Sequence, residues 1–467
     1  MRKKFPVLRK IFLYIGDMLM VLFSAKVATA AVTAYYLGTS VVVNPHYEMV
    51  PVMLIVVTLL LNINGLFSLP RKTYYEVFVG LAVTTVNMFI ILLATSFFLR
   101  EFSYSRSILC LAAGLQFFLL AGWNYLFWKA EQAFMRPRNA LVVGSNAECE
   151  RIVARLQSHS HLHDHVKYTC SGYDRVSWRQ VAQNIDLIII CSDLNLQEKA
   201  EIIRFCHIYG KQVFIVPEFY DLLCSSVDLD KIDDIPVFRP RYLAPTLEQR
   251  ILKRALDLIV ATGVFLFLWP VFAVLAVAIK LDSPGPVFFG QVRSGRNGRE
   301  FKVYKFRTMR DDAEKLTGPV LAIENDPRVT RLGRFLRATR LDELPQFANV
   351  LRGDMSVVGP RPERPYFVKR FEREIPEYVF RKNVKPGITG LAQIYGKYNS
   401  TASDKLVYDL IYIQNCNILN DLAIMIQTLR VVLSKSSAEG VKSDSRVTKL
   451  AKMRNSLRLS DKSESQG

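Results

Sequence analysis

The chain has 467 residues, half of them hydrophobic, and a formal net charge of +19. That length holds two or three domains, and apolar mass joined to basic charge argues against an ordinary soluble enzyme and for a membrane protein with a basic cytoplasmic part. No zinc-finger, RRM or KH signature supports a nucleic-acid partner, and seven scattered cysteines without CxxC spacing exclude a disulfide framework.

Four apolar segments open the chain, at residues 11–37, 50–69, 77–99 and 108–127. Each reaches about 20 residues, enough to cross a hydrocarbon core of ~30 Å as helix. Arg2, Lys3, Lys4, Arg9 and Lys10, the Arg71-Lys72 pair, and Lys129, Arg136 and Arg138 mark the cytoplasmic side. Arg100 and Arg106 fall on the other side, so the N-terminus decides the orientation. The expectation is a four-helix transmembrane bundle over residues 1–136 with both ends inside. Asp17 and Lys26 sit within the first span, to pair with neighbouring helices or to snorkel.

From residue 139 the pattern changes to short β-rich runs (140–143, 166–169, 186–191, 212–216) alternating with helical ones (148–157, 197–209). That is a βαβ series, hence a Rossmann-like α/β domain over 137–245. A dinucleotide fingerprint needs glycines at 144, 146 and 149, and the residues are Gly144, Asn146 and Cys149. The nucleotide motif is therefore degenerate and the domain reads as regulatory or structural. His159, His161, His163 and His165 alternate beside Asp164. An extended segment would put them on one face, as a zinc or nickel site needs, and a polar loop accounts for them as well.

After a linker at 239–245, Lys253-Arg254 introduces an apolar run, 255–279, closed by Lys280. Trp269-Pro270 interrupts it near the centre. Proline removes a helix hydrogen bond and clashes with the preceding turn. The run reads either as a kinked span or as two half-helices of ~20 Å that enter and leave by one face. Residues 288–309 follow as a basic β-hairpin turning at Gly295-Arg296-Asn297-Gly298. Residues 407–433 read as an amphipathic helix, laid on the membrane plane or packed in a core. The basic tail, 434–467, has little to bury and is expected to be disordered.

The densest chemistry lies at 328–361. Arg328, Arg331, Arg334, Arg337 and Arg340 recur every three residues, then come Asp342 and Glu343, then Arg361 between Pro360 and Pro362. Arginines hold phosphate oxygens by charge-assisted, often bidentate bonds. One carboxylate can act as nucleophile while a second holds a divalent cation. On a helix, Asp342 and Glu343 would point about 100° apart, with Arg337 and Arg340 within roughly one and a half turns. A solvated basic helix with compensating acids would have the same composition.

Five motifs, Lys305-Phe306-Arg307-Thr308-Met309, Asn325-Asp326-Pro327-Arg328, Leu341-Asp342-Glu343-Leu344-Pro345-Gln346, Gly359-Pro360-Arg361-Pro362 and Lys385-Pro386-Gly387-Ile388-Thr389-Gly390, stand in one order. Together they resemble the catalytic domain of the bacterial sugar transferases, the polyprenyl-phosphate sugar-1-phosphate transferases or monotopic phosphoglycosyl transferases. The whole architecture resembles the long form of that family, strongly after Lys253 and loosely before it. The resemblance implies a catalytic domain over 250–433 with a re-entrant membrane helix at 253–281, broken at Pro270. It implies transfer of a hexose-1-phosphate from a UDP-sugar, UDP-glucose first and UDP-galactose next, to undecaprenyl phosphate, with release of UMP. This is the membrane-committing step of exopolysaccharide, capsule or O-antigen assembly, at the cytoplasmic face of the bacterial inner membrane. By similarity Asp342 carries a covalent phosphosugar. Glu343 lies beside it with Mg2+, for which Asp342 and Glu343 are the candidate ligands. Arg337 and Arg361 match phosphate-binding positions, Lys305 matches the basic residue of its motif, and Arg307 and Arg340 join the candidate phosphate-binding set. A cytosolic nucleotide-activated substrate favours the re-entrant hairpin over a span. One departure stands out: the family commonly has serine before the hairpin proline, and Trp269 is here. Expected partners are the bilayer, a second copy of the chain and downstream glycosyltransferases, with no nucleic acid. The rival class is a membrane-anchored scaffold with an inactive catalytic domain. A Tyr-x-x-x-Lys pattern, Tyr378 and Lys382, lies outside the βαβ region and does not support an epimerase or dehydratase.

Overall fold

In the computed structural model the described residues are 5–35, 49–67, 73–98, 106–134, 138–157, 164–171, 184–224, 227–232, 235–240, 242–309, 328–396 and 401–433. The first four helices, α1 (Phe5–Tyr35), α2 (Met49–Ile63), α3 (Tyr74–Phe98) and α4 (Arg106–Phe134), pack around Leu13, Val21, Leu61, Leu81 and Leu120. Three of them, α1, α3 and α4, are long and apolar enough to cross a membrane. The second is shorter than its apolar run suggested, 15 residues, or ~22 Å of helix. It ends in a left-handed Gly65 (φ 61°), whose N–H donates to the Asn62 carbonyl while the Leu66 N–H donates to that of Leu61. Within the bundle Asn124 donates to Asp17 at 2.8 Å, the pairing expected of that acid, while Lys26 stays exposed. Arg9 and Glu131 (2.7 Å) tie the start of α1 to the end of α4.

The α/β domain follows the short Val- and Ile-rich runs. β1 (Arg138–Val143), α5 (Asn146–Gln157), β2 (Asp164–Cys170), β3 (Leu187–Ile190), α6 (Leu196–Tyr209) and β4 (Gln212–Ile215) form a parallel sheet in the order β2-β1-β3-β4. β3 is buried along its whole length, as parallel strands covered on both faces are. At the turn after β1, where a nucleotide phosphate would sit, the Ser145 N–H donates to the Asp193 carboxylate at 2.7 Å. The chain's own acid fills that position. His159, His161 and His163 lie outside the described residues. After α7 (Phe219–Cys224) comes a two-stranded antiparallel hairpin, β5 (Val227–Ile232) and β6 (Ile235–Pro240), whose last two residues are the first two of the linker expected at 239–245.

α8 (Leu247–Asp282) is one 36-residue helix capped by a Thr246–Gln249 box. Helical residues stand on both sides of Pro270; an interior proline removes one hydrogen bond and can bend a helix without ending it. Near its start Arg254 donates to the carbonyls of Val350 (2.6 Å) and Leu351 (2.9 Å). Asp257 accepts from the Ser356 hydroxyl and the Val357 N–H, both at 2.9 Å. Near its end Leu275 and Ile279 pack with Phe306 and Leu336. Between these attachments Leu266, Phe267 and Trp269 are exposed.

The rest of this domain is β7 (Phe288–Ser294), β8 (Glu300–Phe306), α9 (Arg331–Ala338), α10 (Gln346–Arg352), β9 (Ser356–Val358), α11 (Pro365–Glu374), β10 (Gly387–Thr389), α12 (Leu391–Tyr395), α13 (Ala402–Gln414) and α14 (Ile418–Leu433). The helix expected at 407–433 is thus two helices, parted at Asn415, and the tail beyond 433 lies outside the described residues. α14 docks the domain on the bundle: Gln427 donates to the Ile63 carbonyl (2.9 Å) and Arg430 to that of Asn64 (2.8 Å). The α2–α3 turn therefore faces the same side as this domain, as the charge pattern requires. Arg155 of α5 pairs with Asp404 at 2.6 Å and holds the α/β domain against α13.

Candidate active site

Each strand and helix end around the acid pair is set by a local feature of the chain. β7 and β8 form the predicted antiparallel hairpin, turning at Asn297 (φ 55°) and Gly298 (φ 76°). Alternation along β8 buries Val303 and sends Lys305 the other way from Phe306. α9 starts at its N-cap Thr330, and Gly333 lets it press on the end of β8: a Cβ there would lie 2.1 Å from the Thr308 carbonyl oxygen. That contact brings the Arg337 Nε to the Thr308 hydroxyl at 2.8 Å.

The arginine run is not one helix. α9 stops at Ala338, and Arg340 takes a left-handed conformation, φ 58°, which costs a non-glycine residue about 1 kcal/mol. The turn delivers Asp342 and Glu343 on a single 3₁₀ turn, Leu341–Glu343, rather than on the expected α-helix. Leu341 and Leu344 on either side pack against the α8 cluster, so the acid pair is fixed to the membrane helix. From the other direction β9 and β10 pair in parallel, and Gly359 and Gly387 allow their backbones to meet; a Cβ on Gly387 would lie 2.1 Å from the Gly359 nitrogen. The strand then releases Arg361 toward the pair.

Both acids are buried, each 8% exposed. The Oε1 of Glu343 receives Lys305 Nζ at 2.8 Å, Arg361 Nη2 at 2.9 Å and Arg340 Nη1 at 3.8 Å. Burial pushes the Glu343 carboxyl up, but Arg361, Lys305 and Arg340 outweigh it and hold the group well below the usual carboxylate range. Burial draws Lys305 down against the pull of Glu343, and Glu343 holds Arg361 above its ordinary range. Asp342 goes the opposite way: burial, then the neighbouring Glu343 charge, raise it, and Lys305, Arg337 and Arg340 only partly compensate. Among the described residues none donates a hydrogen bond to it. One acid is thus locked as a counterion and the other is left basic and unengaged, a division that suits nucleophilic work.

Of the expected residues, Asp342, Glu343, Lys305, Arg337, Arg340 and Arg361 meet here. Arg307 bonds instead to Ser283 and touches neither acid. Asn325, Asp326 and Pro327 lie outside the described residues. No cluster of three or more His, Cys, Asp or Glu residues forms among the described residues. The residues nevertheless fit magnesium, which takes one or two carboxylates and completes its shell with water and phosphate oxygens. Asp342 is unengaged, and the cations on Glu343 all fall on Oε1.

Three supporting groups escape the motifs. Asp257 holds the start of β9. Arg381, paired with Asp409 at 2.8 Å, donates to the Arg361 carbonyl at 2.9 Å and also meets the Tyr378 hydroxyl. Lys253 bonds Asp421 at 2.6 Å. Their signal was an acid inside an apolar run. Tyr378 proves to be a buried support for Arg381, while Lys382 pairs with Glu372.

A sequence model described as bacterial sugar transferase matches residues 248–435. The chain is 43% identical over 232 residues to a UDP-N-acetylgalactosamine-undecaprenyl-phosphate N-acetylgalactosaminephosphotransferase of Aeromonas hydrophila, covering 49% of this chain and 54% of that one. It is 41% identical over 224 residues to a UDP-glucose:undecaprenyl-phosphate glucose-1-phosphate transferase of Escherichia coli K12, 46% of this chain and 48% of that one. These matches span about half the length of such relatives. The exopolysaccharide production protein PSS of Rhizobium leguminosarum is 44% identical over 187 residues and is covered over 94% of its length, by 38% of this chain. The five motifs, the meeting of Lys305, Arg337, Arg340 and Arg361 around one acid pair and these likenesses together place the chain in the bacterial sugar transferase family.

Proposed function

We propose that the chain transfers a hexose-1-phosphate from a UDP-sugar to undecaprenyl phosphate and releases UMP. The observation that carries this reading is Asp342, buried and unengaged among the described residues, beside a Glu343 already neutralised by Lys305, Arg361 and Arg340. A carboxylate oxygen of Asp342 attacks the β-phosphorus; the bond from that phosphorus to the oxygen bridging the two phosphates breaks, and UMP leaves. A phosphate oxygen of the lipid then attacks the same phosphorus, the acyl-phosphate bond breaks, and the Asp342 carboxylate is restored. Phosphoryl transfer asks a protein mainly for positioning and charge neutralisation. Lys305, Arg337, Arg340 and Arg361 supply both. Magnesium held by Asp342 or Glu343 with diphosphate oxygens would add neutralisation of the charge that develops in transfer.

The lipid acceptor requires a site at the headgroup plane. A spanning α8 would separate its ends by the ~30 Å of a hydrocarbon core, yet both ends are fastened to one domain. Arg254 binds α10, Ile279 packs on β8, and β8 bonds α10 through the Tyr304 N–H and Asn349 (3.1 Å). This supports a re-entrant α8 with its exposed middle in one leaflet and the acids on the cytoplasmic face of the inner membrane. UDP-glucose is the favoured donor, since relatives named for it recur, with UDP-galactose next. The lipid-linked sugar would open exopolysaccharide, capsule or O-antigen assembly and pass to glycosyltransferases. Exposed Leu229 and Phe238, paired across the β5–β6 hairpin, offer a surface for the expected homodimer. The test is a panel of UDP-sugars with undecaprenyl phosphate and Mg2+, read by UMP release. Turnover with UDP-glucose that stops on chelation is the expected result. No UMP from any donor would favour the inactive scaffold.

A further inference from the structure

Arg307 stands apart from the other cations. It is 6% exposed, and its Nη2 donates to the carbonyl oxygen (2.6 Å) and hydroxyl (2.9 Å) of Ser283, the residue that caps the end of α8. Its Nε and Nη1 are buried, and no described residue accepts from them. A desolvated guanidinium with open N–H groups is unfavourable unless an acceptor arrives, and such groups in native structures signal an absent water or ion. Each of these open N–H groups can donate a charge-assisted bond to a phosphate oxygen.

The position selects which phosphate. Lys305 and Arg307 flank Phe306, whose ring packs with Leu275 and Ile279 of α8, so the cations form a row from Glu343 to the membrane helix end. Val274, Val277 and Leu281 are exposed on the last turns of α8, on the face opposite Leu275 and Ile279, and those turns end at Ser283. An alkyl chain running along those turns would place its headgroup at the level of Ser283, to which Arg307 is bonded. Lys305, Arg340 and Arg361 contact Glu343, whereas Arg307 contacts neither acid. Resting on the transfer reading above, we infer that Arg307 and Ser283 form a separate subsite for the phosphate monoester of the lipid acceptor, leaving the cations around Glu343 to the donor diphosphate.

In a two-step transfer, kcat/KM for each substrate reports its own half-reaction, so the two sources of phosphate separate cleanly. Arg307→Gln, Arg307→Lys and Ser283→Ala would be assayed in nanodiscs with UDP-glucose and undecaprenyl phosphate varied in turn. The UMP burst without acceptor would also be followed. For Arg307→Gln, kcat/KM for the lipid should fall at least tenfold more than that for UDP-glucose, with the lysine variant intermediate. Equal losses on both substrates, or a loss on the donor alone, overturn the assignment; an unchanged lipid kcat/KM means that water alone satisfies the guanidinium and overturns it too. If Arg307→Gln fails to fold and gives no burst, Ser283→Ala decides, with a selective loss on the lipid expected and its absence contrary. A wild-type protein without a burst would instead sink the transfer reading itself.

Discussion

Asp257 is the sharpest structural test, because one buried carboxylate on α8 holds the strand that delivers Arg361. Asp257→Ala removes the acceptor of two bonds, leaving the Ser356 hydroxyl and the Val357 N–H buried without a partner. Each orphaned group costs about 1–3 kcal/mol, so the loss should be about 3 kcal/mol. For a unit of this size 1 kcal/mol shifts the melting temperature by roughly 2–4 °C, giving a drop of about 6–12 °C. Asp257→Asn keeps an oxygen in the same place and should lose about 1 kcal/mol or less. The assay is melting in nanodiscs by intrinsic fluorescence, with UMP release measured below the transition. Activity should fall further than stability for the alanine variant, since β9 runs directly into Arg361. An alanine variant that melts with wild type and keeps its UMP release would refute the claim that α8 positions the site through β9.

Gly333→Ala places a Cβ against the Thr308 carbonyl; it should cost about 1–3 kcal/mol by overpacking and slow UMP release by parting Arg337 from Thr308, read by melting and turnover together. Asp342→Asn should abolish transfer, whereas Arg331→Ala, on an exposed position of α9, should be mild in the same UMP assay. Cysteines at Glu248 and Asp282, in a background lacking Cys110 and Cys224, should both label from the cytoplasmic side if α8 is re-entrant. Labelling from opposite sides would establish a span.

What the sequence conveyed, and what it hid, divides along local and long-range lines. β1 and β3 were readable because short Val/Ile runs act within a few residues, and α6 because a helical run stands between two such strands. The acid pair was readable from its chemistry, but not its geometry. Nothing in a run of arginines at every third residue announces that Arg340 turns left-handed and ends the helix. Lys305 and Arg361 lie far from Glu343 in the chain, and the convergence depends on glycine contacts between β9 and β10. α2 stopped early on one small signal, Gly65, submerged in apolar composition. Asp257, Asp409 and Asp421 were overlooked because each is a lone acid in an apolar run, although a buried acid is retained only where partners meet it. Helical residues flank Pro270 on both sides, so the proline can bend α8 but does not end it.

The central claim is that Asp342 takes the sugar phosphate before the lipid does. Peptide mass spectrometry of protein quenched with UDP-glucose and Mg2+ in the absence of acceptor tests it directly. The account predicts one hexose phosphate on Asp342, lost when undecaprenyl phosphate is added and never formed by Asp342→Asn. Product formation with no adduct on that residue would contradict it.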